Sequence, residues 1–324
     1  MHRRKFTASM AALGALSLPR VALCADPLFK QPIRLIVPAS PGGFTDVAAR
    51  LIGDRLSIRI GQPVVVDNRA GASGIIGAEA GARSAPDGAT LVMGSIQSHA
   101  TNVPLFKKLP YDVMKDFTPV SRVAMGYTVL VVPASSPFRS LPDLIEGAKK
   151  QPGSLTYGSG GAGASSHLCA EMLKQAAGID LLHIPFKGTA PAVQALIGAQ
   201  LSMLFDTVPS SLPHVKAGTL RALAVTSTRR LDALPDVPPV AEVVPGFEMG
   251  VWTGIYAPAG TPAALVDALG QHIQAVLREP AVLQRFDQLG FQAAPQNSRD
   301  FGAFTLAEIA KWTQVVRAGN ITAD

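Results

Sequence analysis

"VPASPGGFTDVAARLIGDRL", residues 37–56, decides how this chain is read. It opens as the end of a buried strand and breaks at Pro41-Gly42-Gly43. It then runs on as a helix whose Ala48, Leu51, Ile52 and Leu56 share one face. No catalytic-looking side chain stands beside the two glycines. The first turn of a helix has unsatisfied N–H donors and a positive dipole end. Glycine lets a ligand come close to that backbone. The break therefore reads as an anion cup made of main chain.

The same theme of strand, glycine turn and helix recurs. "IRLIVPA" (33–39) and "PVVVDN" (63–68) are strands, and "RAGASGIIGAEAGARS" (69–84) is a glycine-opened helix. "ATLVMGS" (89–95) is a strand with polar "IQSHATN" (96–102) at its end. A new block starts at "YTVLVVPASS" (127–136). Helices follow at 140–153, 167–178 and 190–199, between strands at 155–159, 181–186, 201–206 and 220–227. A proline-rich connector (234–247) leads to a strand near 251–257, and two helices close the chain, around 263–278 and 300–317.

Such alternation predicts an α/β fold with mostly parallel sheets and helices on both faces. Its ligand crevice lies at the carboxyl ends of the strands. The late strand near 251–257 reads as a return to the first domain. Two lobes are expected, 26–124 plus 250–324 and 125–249, joined by crossovers near 123–126 and 247–251.

Residues 1–25 read as a secretory signal: Arg3-Arg4-Lys5, a short apolar run from Ala8 to Leu18, then Ala22-Leu23-Cys24-Ala25. Arg3-Arg4 before Phe6 also permits twin-arginine export, so the route is Sec or twin-arginine. Leu23 argues against a lipoprotein signal. With Cys24 in this segment, Cys169 has no partner for an intramolecular disulfide, which points to a bacterial periplasm. The 324 residues leave room for two domains. Apolar residues make up 48% and charged residues 16%, with a formal charge of +6, part of it from the signal. That modest basic excess suits an anionic small molecule. No basic cluster interleaved with aromatics argues for nucleic acid.

Other chemistries find little support. "GSGGAG" (158–163) matches the dinucleotide fingerprint between strand and helix. The acidic residue that should end the next strand is missing; Ile184-Pro185-Phe186-Lys187 stands there. Ala164-Ser165 follow Gly163 where a phosphate loop needs lysine, and no G-x-S-x-G elbow occurs. Ser165, Ser166 and His167 are sequence neighbours on a helix start and do not face one another. The six histidines lack zinc spacing. Asp46, Asp206 and Glu171 are possible acids or bases without a paired-carboxylate signature. No cofactor and no metal are expected. An exported enzyme or dinucleotide-binding protein using Gly158–Gly163 remains the alternative.

"PASPGGFTDVAARLIGDRL", "VVDNRAGASGIIGAEAGARSAPDGATLVMG", "YGSGGAGASSHLCAEMLK", "HIPFKGTAPAVQALIGAQLSMLFD", "LRALAVTSTRRLDALPDVPPVAEVVPGFE" and "WTGIYAPAGTP" together resemble the Bug-type, TctC-like receptors. These are substrate-binding proteins of tripartite tricarboxylate transporters, and the resemblance covers essentially the whole mature chain. It implies a periplasmic two-lobe "Venus flytrap" of the type II binding-protein class. It also implies a carboxylated ligand and no catalysis. The partners it implies are a small carboxylate (a dicarboxylate, an amino acid or an aromatic acid) and an inner-membrane permease, or a sensor protein if the receptor signals instead. The working unit is expected to be a monomer.

In that family the carboxylate is held largely by backbone groups and ordered waters at the first strand–helix turn. Here that turn is Pro38 to Asp46, with Pro41, Gly42, Gly43 and Phe44 at its centre. The second lobe contributes the turn Gly158–Ser166, the turn Lys187–Ala190 and Asp206. The candidates there are Ser159, Gly161, Ala162, Gly163, Ser166, Gly188, Thr189, Ala190 and Asp206. Ser95 and Ser98 end a strand on the cleft side or are plain loop residues. Asp46 is a helix cap or a ligand contact. Asp206 caps a strand end or accepts from a ligand amine or hydroxyl. Cys169 reads as a buried apolar residue.

Overall fold

The computed structural model describes residues 28–318 and 321–322. The export signal expected over residues 1–25 lies outside the described residues. The first half of the fold alternates β1 (Ile33–Val37), α1 (Phe44–Ile60), β2 (Val64–Asn68), α2 (Ile75–Ala82) and β3 (Thr90–Ser95). A helical turn over Gln97–Thr101 then runs into α3 (Asn102–Leu105). β4 (Phe117–Pro133) leads into α4 (Leu141–Lys150), β5 (Thr156–Ser159), α5 (Ser165–Ala177), β6 (Leu182–Pro185) and α6 (Thr189–Ile197). β7 (Met203–Thr207), α7 (Val208–Lys216) and β8 (Leu220–Val225) complete the second half. β9 (Gly250–Pro258), α8 (Ala263–Val276), α9 (Pro280–Gln288), β10 (Phe291–Ala293) and α10 (Ser298–Ala318) follow.

Two parallel cores result. β1 pairs in parallel with β2 and β3, and β5 pairs in parallel with β6 and β7. They are bridged by antiparallel crossing strands. β9 pairs β3 on one side and β4 on the other. β4 spends residues 117–127 beside β9 and residues 128–133 beside β7 and β8. The molecule is thus an α/β fold of two lobes joined by crossing strands. β1 and β3 are almost wholly buried, as apolar parallel strands covered on both faces should be.

The structure extends the sequence reading in four places. The strand expected from Tyr127 begins at Phe117. Pro119 and the Ser121-Arg122 pair hide that part, and the register shifts at both places. α7, which carries Pro213 inside it, has no counterpart in the sequence reading. α9 and β10 stand between the two closing helices. The polar run after β3 is helical rather than extended.

α2 starts later than the glycine-opened reading of 69–84 suggests. Ala72 and Ser73 take left-handed backbone, φ 43° and 56°, before Gly74 at 81°. Such a run cannot be helical. It turns the chain so that α2 meets the β1–α1 loop, and a Cβ at Gly74 would lie 2.8 Å from the Pro38 carbonyl.

Candidate ligand-binding site

A cavity of about 480 Å³ lies at the carboxyl ends of β1, β3, β5, β6 and β7. Both lobes contribute to it. Ser40, Gly43, Phe44, Thr45 and Gln97 line one side, and Gly161, Ser165, Phe186 and Thr189 line the other. Five helices begin on its wall. Gly43, Gly74, Ala164, Gly188 and Thr207 are the N-cap residues of α1, α2, α5, α6 and α7, and all five line the cavity. None caps its helix with a side-chain hydrogen bond. α4 shows the alternative: Ser140 and Asp143 cap each other's backbone there.

Of the residues expected from sequence, Gly43, Phe44, Ser95, Gly161, Gly188 and Thr189 line the cavity. Pro41, Gly42, Asp46, Ser98, Ser159, Ala162, Gly163, Ser166, Ala190 and Asp206 are not on its wall. Most of these hold the wall in place from behind. Asp46 is 2% exposed. Its Oδ2 accepts from the Gly42 N–H at 2.8 Å and Arg50 Nε at 3.1 Å, and its Oδ1 accepts from Asn68 Nδ2 at 2.9 Å. Asn68 also donates to the Ala39 carbonyl. Burial pushes the Asp46 pKa up, but these donors together hold it below its usual value. The carboxylate thus fixes the first turn and leaves Gly43 and Thr45 to face the cavity.

The second-lobe turn is fixed in a similar way. Ser166 Oγ accepts from the Gly160 N–H at 3.0 Å, and His167 Nδ1 from the Gly163 N–H at 3.2 Å. Ser159, fully buried, bonds His183 Nε2 at 2.6 Å. The His167 and His183 rings stack at 4.3 Å, with Tyr157 stacked on His183 at 4.7 Å. Burial holds His183 down at about 4, helped by the neighbouring His167, which burial also lowers. Both rings are neutral near pH 7. Asp206, 2% exposed, accepts from Ser211 Oγ at 2.6 Å, and burial pushes its pKa up to about 6. Ser98, fully buried, has its hydroxyl 2.9 Å from His99 Nδ1 and accepts the Ser95 N–H at 3.1 Å.

Sequence reading missed Ser73, Ile76, Gln97, Thr207, Val251 and Trp252 on the wall. For Gln97 the signal was present in the polar run after β3. Ser73 and Thr101 also tie the lobes together. Ser73 Oγ donates to the Ala162 carbonyl and Thr101 Oγ1 to the Gly163 carbonyl, both at 2.8 Å. Asn102 Nδ2 donates to the Ser73 carbonyl at 2.9 Å, which supports its left-handed backbone. Gln97 Nε2 reaches the Ala162 carbonyl at 3.4 Å. Trp252 directs its N–H away, to Glu308 at 2.9 Å, and offers the cavity carbon.

Among the described residues, Lys187 is the single charged side chain on the cavity wall. No group of histidine, cysteine or acidic side chains among them could hold a metal ion. No helix among them is long and apolar enough to cross a membrane. Cys169 is buried and free. The wall thus presents five helix starts without side-chain caps beside a single lysine.

Comparison with known proteins agrees. The profile of the tripartite tricarboxylate transporter family receptor, TctC, matches residues 48–321. Protein BugT of Bordetella pertussis is 39% identical over 298 residues, 90% of each chain. The Rhodopseudomonas palustris protein Rpa4515, solved with adipate, is 36% identical with a TM-score of 0.88, covering 90% of this chain and 98% of that one. MatC from Rhodopseudomonas palustris, solved with bound malate, is 32% identical with a TM-score of 0.81, covering 88% and 99%. With a family match over most of its length, the chain belongs to the TctC family of tripartite tricarboxylate transporter receptors, periplasmic solute-binding proteins rather than enzymes.

Proposed function

We propose that this receptor captures a small carboxylate between its lobes in the periplasm and hands it to an inner-membrane permease of the tripartite tricarboxylate type. The carrying observation is the cavity wall: five helix starts without side-chain caps and one lysine. Free N–H groups and positive dipole ends there favour a carboxylate without an arginine clamp. The ligands of Rpa4515 and MatC, adipate and malate, support this chemistry.

Gly43, Phe44, Thr45 and Ser95 make the first-lobe contacts, and Gly161, Ser165, Gly188 and Thr189 those of the second. Asp46, Ser159, Ser166 and Asp206 act behind them by holding the turns. The lobes comprise 26–124 plus 250–324 and 125–249, and they hinge near 123–126 and 247–251, where β4 and β9 cross. Closure about such crossovers buries the ligand. The signal over residues 1–25 delivers the chain across the inner membrane as a monomer.

A thermal-shift screen against mono-, di- and tricarboxylates, with nucleotides beside them, tests this reading on protein unfolded and refolded to strip bound ligand. A ligand at a hundred times its dissociation constant adds about 2.7 kcal/mol, a shift of about 4 °C for a chain of this size. Silence of all carboxylates, or a shift with nucleotides alone, overturns it.

A further inference from the structure

A second concavity lies on the first lobe, apart from the ligand cavity. α3, the loop 106–116 and α10 frame a groove of about 600 Å³. Val103, Met114 and Leu306 line it while 37%, 40% and 52% exposed, and Leu109 and Ile309 line it too. Large apolar side chains gathered in one exposed groove mark a contact surface. The free charge at its rim is positive. Asp112 is paired with Lys115 at 3.1 Å and accepts the N–H groups of Met114 and Lys115. Asp116 accepts the Asp112 N–H at 2.7 Å. Both acids are thus engaged within their own turn. Lys107 on the wall and Lys108 beside it are exposed, with no ion-pair partner among the described residues.

Three links tie this groove to the ligand cavity. Tyr111 on the groove wall donates to the Ser98 carbonyl at 2.6 Å, in the helical turn that brings Gln97 to the cavity. α3 follows that turn and sets Leu105 against the second lobe, where a Cβ on Gly163 would collide with it. α10 lines the groove with Leu306 and Ile309, and its Glu308 accepts the N–H of the cavity's Trp252 at 2.9 Å. When the lobes part, Leu105 loses Gly163, so the α3 wall of the groove answers to closure.

We propose that this groove is where the receptor docks on the membrane component of its transporter, and that the segment it takes is acidic with an apolar tip. Lys107 and Lys108 complement acidic side chains and steer the encounter. The groove receives the apolar tip as an anchor. A permease has to tell the closed, loaded receptor from the empty one, and a surface braced by the closing turn offers that difference. The inference rests on the permease reading and adds to it the surface and the chemistry of the contact.

Photocrosslinking in the cells that make the protein tests it. Benzoylphenylalanine is placed at Met114 and Leu306 in the groove, and at Ile58 and Leu182 as exposed apolar sites on α1 and β6. Captured proteins are identified by mass spectrometry. The groove positions should capture the transporter's membrane component about tenfold more than the other two. Lys107→Glu with Lys108→Glu should lower that yield about fivefold. Ligand affinity should stay within twofold, since neither lysine lines the ligand cavity. Thr101→Val, which removes a bond between the lobes, should lower the yield as well. Capture of the membrane component from Ile58 or Leu182 as efficiently as from the groove overturns the inference alone. So does a groove that captures a second copy of this chain or a soluble protein instead, or a yield that the lysine pair leaves unchanged. A membrane component captured from none of the four positions takes down the permease reading and this inference together.

Discussion

Thr101→Val asks whether the lobes are held together by side chains as well as by ligand. Thr101 is fully buried in the first lobe, and its hydroxyl donates to the Gly163 carbonyl of the second at 2.8 Å. Valine keeps the shape and removes the donor. A hydrogen bond of this kind contributes about 1 kcal/mol net, and a carbonyl left buried without a partner raises the loss to about 2 kcal/mol. Opening the cleft returns that carbonyl to water, so the loss falls on the closing equilibrium more than on folding. Ligand binds the closed form, so affinity should weaken about 5- to 30-fold. Adding Ser73→Ala removes the second 2.8 Å bond, to Ala162, and should cost about another fivefold. Calorimetry gives the affinity and stopped-flow dissociation shows whether the loss lies in the off-rate. Thr313→Val serves as control, since that hydroxyl donates to Ile309 within α10. A Thr101→Val protein whose affinity and dissociation rate stay within twofold of the parent refutes the idea that these bonds govern closure.

Three further outcomes are expected. At Gly188, φ is 111° and a Cβ would collide with Ser40 Oγ across the cleft. Gly188→Ala should weaken binding more than tenfold, and Ser40→Gly should restore the steric part but not the backbone strain of about 1–2 kcal/mol. Asp206 has its pKa raised from 3.8 to about 6 by burial. The native state therefore holds a proton that the unfolded chain has released, and stability falls as pH rises between those values. Asp206→Asn should stabilise at pH 7.5 by up to about 3 kcal/mol and by little at pH 4, read from unfolding midpoints. His183 has the opposite sign: its pKa is lowered to about 4, so the unfolded chain gains a proton first. Stability from this group is full above about 6.5 and is lost as pH falls toward 4. His183→Gln should blunt that acid loss in urea titrations at pH 7 and pH 4.5, and an unchanged acid loss counts against the assignment.

Much of the site was legible because its chemistry is written in turns. Pro41-Gly42-Gly43, Gly158–Gly163 and Gly188 stand out in any reading, and the strand–turn–helix order places them at one end of the sheets. What could not be read was which side of each turn faces the ligand. Asp46 and Ser166 look like ligand contacts by position, yet each is spent on a backbone N–H of its own turn. Asp206 lies one residue before the end of β7, and its side chain turns inward to Ser211. Ser73 and Thr101 were hidden because one sits in left-handed backbone and the other in a helix that the polar run after β3 disguises. Their partners are 89 and 62 residues away, beyond any local pattern. The start of β4 was lost to Pro119 and its bulges, although its partner β9 was found.

The placement of β9 also orders events during synthesis. β3 and β4 never touch along their edges; β9 lies between them in the sheet. Until residue 258 has left the ribosome, the edge of β3 and the first half of β4 have unpaired backbone. The first lobe cannot be finished from the N-terminal side alone, whereas the second-lobe sheet is complete once β8 is made, and an open apolar edge invites pairing with another chain. The first lobe therefore closes its sheet last, after the second, and any factor that shields nascent strands should act on β3 and the first half of β4 until about the last fifth of the chain is made.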